Sequence, residues 1–158
     1  MKLDKILVPL DGSPLAEAAL WRAASLVNDG TLSLLRAVEV HAVPGGDPID
    51  AQVAAVKDAE EYLGGVVRRL KDRGVTNVET HVWYGPSAAA IVEAAEVGKV
   101  DLILMSTHGR SGLGRLILGS VAESVLRGTR TPILVVRADS APVAAPRGAA
   151  PAQEPTHV

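Results

Sequence analysis

The sequence contains no cysteine and no phenylalanine, and only two tryptophans and two tyrosines. Without cysteine there is no disulfide framework, no thiolate nucleophile and no thiolate-based zinc site. Aromatics at 3% leave no stacking platform for single-stranded nucleic acid, so a core has to be built from Val, Leu, Ile and Ala. The four histidines, His41, His81, His108 and His157, are scattered and form neither an H-E-x-x-H pair nor a facial triad. Excess charge is missing as well. A formal net charge of -2 argues against a nucleic-acid backbone or an anionic membrane as the main partner. No apolar run reaches the roughly 18 residues of a bilayer span. The opening MKLDKILVPLDGSP carries an apolar run too short and too interrupted for a signal peptide. The expectation is a cytoplasmic protein with no nucleic acid and no membrane among its partners.

What is present fits one globular domain: 158 residues, 47% hydrophobic and 22% charged. Short β-branched runs at Lys5 to Leu10, Leu32 to Val40, Val78 to Tyr84, Leu102 to Met105 and Ile133 to Val136 alternate with helical patterns. Ser13 and Pro14 read as the N-cap and first turn of a helix reaching about Asn28, and glycines are expected to close each helix. His41 to Asp50, with Pro44, Gly45, Gly46 and Pro48, reads as a loop before a long amphipathic helix from Val53 to Leu70. Val78 to Tyr84 alternates as a strand with one face fully covered would, which places it at a sheet edge. Strands joined by helical crossovers give an α/β fold. Its expected form is an open five-stranded parallel sheet, order 3-2-1-4-5, with helices on both faces. The domain is expected over residues 1–138. Residues 139–158, rich in Pro and Ala and nearly free of large apolar side chains, are expected to form a flexible tail.

In such sheets ligands bind beyond the carboxyl ends of the strands where the strand order reverses, here between strands one and four. The loop after strand four, Ser106 to Arg115, holds no carboxylate; Arg110 and Arg115 add positive charge, and Gly109, Gly112 and Gly114 let backbone amides approach an anion. It leads to Gly119 and Ser120 at the start of a helix, where unpaired N–H groups favour a phosphate. Ser120 and Glu123 also spell S-x-x-E, a capping box, so Ser120 has a purely structural reading too. Known nucleotide signatures are absent. Arg115 and Leu116 replace the Lys and hydroxyl of a Walker A loop, Asp11-Gly12-Ser13-Pro14 lacks the dinucleotide G-x-G-x-x-G, and no G-x-S-x-G elbow occurs. His108 has no accompanying nucleophile, carboxylate or metal cluster, so it is not read as a general base. Trp83 and Tyr84 read as packing at a strand end. Asp11 taken alone fits a turn or helix cap.

The pattern G-x2-G-x9-G-[ST] after strand four and an Asp closing strand one resemble the universal stress proteins. The likeness runs over about residues 3 to 137 and includes ILVPLDGS, MSTHGRSGLGRLILGSVAESVL and TPILVVR. The family motif falls on Ser106, Gly109, Gly119 and Ser120, with Ser106 standing where the ATP-binding branch commonly has Gly. Its added Cβ and hydroxyl either crowd the ribose or hydrogen-bond to it. The resemblance implies a Rossmann-like, adenine nucleotide α-hydrolase-like fold that binds ATP, AMP or ADP. It implies Pro9, Asp11 and Val38 around the adenosine, Met105 and Ser106 near the ribose, and Gly109, Gly119, Ser120 and Val121 around the phosphates. Arg110 and Gly112 belong to the same loop. Mg2+ or Mn2+ would be held through the nucleotide and water. The implied role is stress response or signalling rather than metabolic catalysis, with at most slow ATP hydrolysis, as no strong general base or dedicated metal ligand stands near the phosphates. The strand Ile133 to Val136, apolar at a sheet edge, is expected to pair with a second copy in a homodimer. The competing reading is a dimeric interaction protein with a vestigial pocket that binds no nucleotide. An α-hydrolase-type enzyme would carry S-G-G-x-D-S after the first strand, which Leu10-Asp11-Gly12-Ser13 does not supply. Gly119→Val is expected to block phosphate while the fold survives.

Overall fold

The computed structural model describes residues 3–39, 44–107 and 118–137. In chain order the elements are β1 (Lys5–Pro9), α1 (Pro14–Leu26), β2 (Thr31–Val38), α2 (Pro48–Lys71), β3 (Val78–Tyr84), α3 (Ser87–Val97), β4 (Leu102–Thr107), α4 (Ser120–Gly128) and β5 (Ile133–Arg137). The strands are parallel in the order β3-β2-β1-β4-β5, as the sequence predicts. The expected tail, 139–158, lies outside the described residues.

Side chains of successive strand residues point to opposite faces, so a strand covered on both sides carries no polar alternation. Ile6 and Val8 of β1, Leu32 and Leu34 of β2, and Leu102 and Leu104 of β4 form one core with α1 and α2. The odd positions Leu7, Leu35, Ile103 and Met105 form the other with α3 and α4. This two-sided burial makes β1 and β4 continuous apolar runs and fixes β1 at the centre, with Ile6 facing Leu32 on one side and Leu102 on the other. Strand β3 is an edge strand, but neither of its faces is fully covered. Val78 and Val82 lean on the first core and Trp83 on the second, and no residue of the strand is fully buried.

Three expected boundaries move. The long helix begins at Pro48, inside the stretch read as a loop, because Asp47 accepts the Ile49 amide at 2.8 Å and proline suits the first helical position. Helix α1 stops at Leu26 rather than near Asn28, and β2 is assigned to Val38. Gly30 does not close α1. It is required by close approach of the chain instead, since a Cβ there would lie 2.6 Å from the Leu3 carbonyl oxygen and 2.7 Å from that of Asp4.

Candidate functional site

Each helix that follows a strand starts at the carboxyl edge of the sheet. The N-terminal ends of α1, α3 and α4 therefore gather around the gap between β1 and β4, where the connections diverge to opposite sides. A cleft of about 320 Å³ opens there, within the range of small-molecule sites. Its floor is the upper end of the α3/α4 core, Leu35, Ile91, Met105 and Ala122, and Leu10, Leu15 and Ala16 wall one side. The polar groups on its rim are Asp11, Ser13, Arg36, Ser87, Ser106 and Ser120.

The wall after β1 is fixed by side chains. Asp11 Oδ1 accepts the Ser13 amide at 2.8 Å, and Ser13 Oγ accepts the Ala16 amide at 3.1 Å, capping α1. Asp11 thus makes the turn that its local sequence suggested, and it also lines the cleft. Burial pushes its carboxyl up. Hydrogen bonds from the Ser13 side chain and amide and from its own N–H, with the Arg36 charge, outweigh that and hold it below its ordinary value of 3.8. The carboxylate is ionised at neutral pH.

The wall before α4 is made of backbone. Gly119 is the N-cap of α4 with φ 68° and ψ 148°, and no side chain caps the helix. The first amide with an intrahelical acceptor there is that of Glu123, bonded to the Gly119 carbonyl at 3.0 Å. The amides of Ser120, Val121 and Ala122 precede it and have no acceptor within the helix. The capping box does not form: Ser120 is the first helical residue rather than the N-cap, and Glu123 turns to Arg127 at 2.8 Å. The backbone of Gly119 lies in a region that only glycine occupies without strain. Among the described residues nothing stands within 4 Å of where a Cβ would be. The expectation for Gly119→Val is therefore corrected: a β-branched side chain would strain the fold itself before it met any phosphate.

Of the residues anticipated from sequence, the cleft brings together Pro9, Asp11, Met105, Ser106, Gly119, Ser120 and Val121. Gly109, Arg110 and Gly112 lie outside the described residues. Val38 does not line the cleft; it is buried as the last residue of β2, and its neighbour Ala37 is at the surface of the cleft instead. Arg36 was not anticipated. Its Nη1 lies 3.4 Å from the Leu10 carbonyl oxygen, and its guanidinium carbon is 5.6 Å from the centre of the Tyr62 ring. The signal available was a lone arginine at the carboxyl end of the otherwise apolar run Leu32-Ser-Leu-Leu-Arg-Ala-Val38.

An apolar floor with polar groups at both ends suits a ligand with a flat apolar body and an anionic tail. Among the described residues no three His, Asp or Glu side chains gather as metal ligands, and Asp11 is the one carboxylate lining the cleft. Among the described residues the cleft offers a divalent ion no cage of protein ligands. No described helix is long and apolar enough to cross a membrane.

The model of the universal stress protein family matches residues 2–137. A universal stress protein of Methanocaldococcus jannaschii is 33% identical over 139 residues, 84% of this chain and 81% of that protein. Among solved structures, the hypothetical protein MJ0577 superposes with a TM-score of 0.74 at 27% identity, covering 87% of this chain and 97% of that one. A universal stress protein in complex with cAMP superposes with a TM-score of 0.69 at 23% identity, covering 88% of this chain and all (100%) of that one, a likeness of fold. The chain belongs to the universal stress protein family. The family and fold anticipated from the sequence are both correct.

Proposed function

We propose that the protein binds an adenine nucleotide in the cleft between β1 and β4 and acts as a nucleotide-holding protein in stress response. The observation that carries this reading is the α4 N-terminus, whose amides meet no side-chain cap and open onto a cleft with an ionised aspartate at its other end. The adenosine lies on the Leu35 and Met105 floor near Pro9, Asp11 and Ala37, the ribose meets Ser106, and the phosphates meet Gly119, Ser120 and Val121. Gly109, Arg110 and Gly112, outside the described residues, are further candidates for the phosphate contacts. ATP is the favoured ligand, with Mg2+ or Mn2+ held through its phosphates; when bound, the ion neutralises phosphate charge. Hydrolysis is slow at most, and the setting is cytoplasmic. The protein pairs with a second copy through β5, where Leu134 is 38% exposed and no residue of the strand is fully buried.

The test is a calorimetric titration of nucleotide-free protein with magnesium-ATP, beside AMP. Binding that weakens from ATP to AMP supports a polyphosphate site on α4. No heat with either ligand, repeated in a second binding assay, overturns the reading and leaves an interaction protein in which Ser106 fills the ribose position.

A further inference from the structure

Arg36 projects from the carboxyl end of β2 on the side of the sheet that α1 and α2 cover, and it lines the cleft. Its Nη1 reaches the Leu10 carbonyl oxygen at 3.4 Å and lies 3.2 Å from where a Cβ on Gly12 would stand. The guanidinium is also backed by the Tyr62 ring at 5.6 Å. Tyr62 is itself held, its hydroxyl donating to Glu17 Oε1 at 3.1 Å, and Glu17 takes both guanidinium nitrogens of Arg69 at 2.7 Å. The charged head is thereby fixed against the turn Leu10 to Ser13 from a neighbouring strand. The only other charged side chain lining the cleft among the described residues is Asp11, of opposite sign.

We propose that Arg36 is a positioning residue of the cleft: it clamps the turn that carries Asp11 and sets that carboxylate for the nucleoside end of the ligand. The ligand part of this inference rests on the nucleotide reading; the clamp does not. A guanidinium presents five N–H donors in a rigid plane, the contact to Leu10 uses one nitrogen, and the residue lines the cleft. The Arg36 charge contributes to the lowering of the Asp11 carboxyl. Gly12 has φ 86°, a left-handed backbone that favours glycine, and a Cβ there would press on the guanidinium at 3.2 Å.

The test compares wild type with Arg36→Met, which keeps the stem and removes the charge, and Arg36→Lys, which keeps the charge and loses the planar fork. Two nucleotide-free readouts come first: the carboxyl carbon titration of Asp11 by NMR and hydrogen exchange of the Ser13 amide, which bonds Asp11 Oδ1. Arg36→Met is expected to raise the Asp11 midpoint and speed Ser13 exchange about tenfold, the scale of losing one charge-assisted hydrogen bond. Arg36→Lys is expected to restore the midpoint more fully than the exchange rate. Calorimetry with adenosine, AMP and magnesium-ATP follows. Arg36→Met is expected to weaken all three by a similar factor, about tenfold, leaving the ATP-to-AMP ratio unchanged. A folded Arg36→Met protein with Asp11 titration and Ser13 exchange unmoved overturns the clamp, even if its global stability has fallen. A loss that grows with phosphate number overturns the placement of Arg36 at the nucleoside end. If wild type binds none of the three ligands, the nucleotide reading fails while the first two readouts still decide the clamp.

Discussion

Between Leu10 and Ala16 the chain is held by side chains: Asp11 and Ser13 each accept a backbone amide, and Arg36 reaches over from β2. Between Leu118 and Ala122, on the facing wall of the same cleft, no side chain among the described residues caps the helix, and the geometry follows from a glycine at positive φ. The first wall spends its polar groups on local structure before any ligand arrives. The second leaves backbone N–H groups for something to accept. A wall of the second kind is suited to an anion, since an uncapped N-terminus presents several amides and a dipole without any charge to desolvate. The difference also separates what a substitution can test on each side: residues of the first wall are coupled to α1, whereas Ser120 can change without removing a cap.

The largest effect expected from this contrast is at Gly119. With φ 68° and ψ 148°, Gly119→Ala should lose about 1–3 kcal/mol of stability, the usual cost of a non-glycine residue in that region. A urea midpoint equal to that of wild type would show that the turn relaxes freely and that the backbone wall is not rigid. Next come the two serines. Ser13→Ala removes an N-cap acceptor and should cost about 1 kcal/mol. Ser120→Ala removes none and should stay within about 0.5 kcal/mol. Equal losses in thermal unfolding would erase the distinction between the walls.

A smaller effect is carried by pH. Glu17 accepts hydrogen bonds from Arg69, and this holds its carboxyl below 4.5 against the opposing pull of burial, with help from Tyr62. A carboxylate depressed by folding stabilises the protein above its unfolded value, and the contribution is lost as pH falls through the depressed one. Unfolding free energies measured from pH 6 downward should therefore drop more steeply below about 4.5 in wild type than in Arg69→Met. Because Arg69 is 46% exposed, the difference at neutral pH should stay below about 1 kcal/mol. Burial, then the Glu17 charge and the hydrogen bond to Glu17, push the Tyr62 hydroxyl up to about 12. Smallest of all is the α4 pair, Glu123 with Arg127, at 55% and 78% exposure. Arg127→Ala should change stability by no more than about 0.5 kcal/mol, the scale of an i,i+4 pair, and salt should abolish the difference.

Much of this was legible in the chain. The continuous apolar run Leu102 to Met105 marked a strand covered on both faces because full burial removes alternation, and Gly119 with Ser120 marked a helix start beside a loop without carboxylates. Val38 was named from the family resemblance; the β2 residues that line the cleft are Leu35, Arg36 and Ala37. The start of α2 was hidden for a different reason. Pro48 looks like a breaker until Asp47 is seen to accept the Ile49 amide and make it a first turn.

The sequence by itself determined the fold class and the two switch-point loops, since burial pattern, glycines and helix starts are local properties; most residues around that point were named from the family resemblance. Tertiary structure alone decided Arg36 and the role of Ser120. Arg36 sits 24 positions after Gly12 in the numbering, and nothing local says that a strand will carry its guanidinium to the Leu10 carbonyl. The S-x-x-E at Ser120 promised a cap. It was refused because Gly119 takes the N-cap position and Glu123 finds a partner one turn further on, a choice settled by backbone geometry that a motif does not encode.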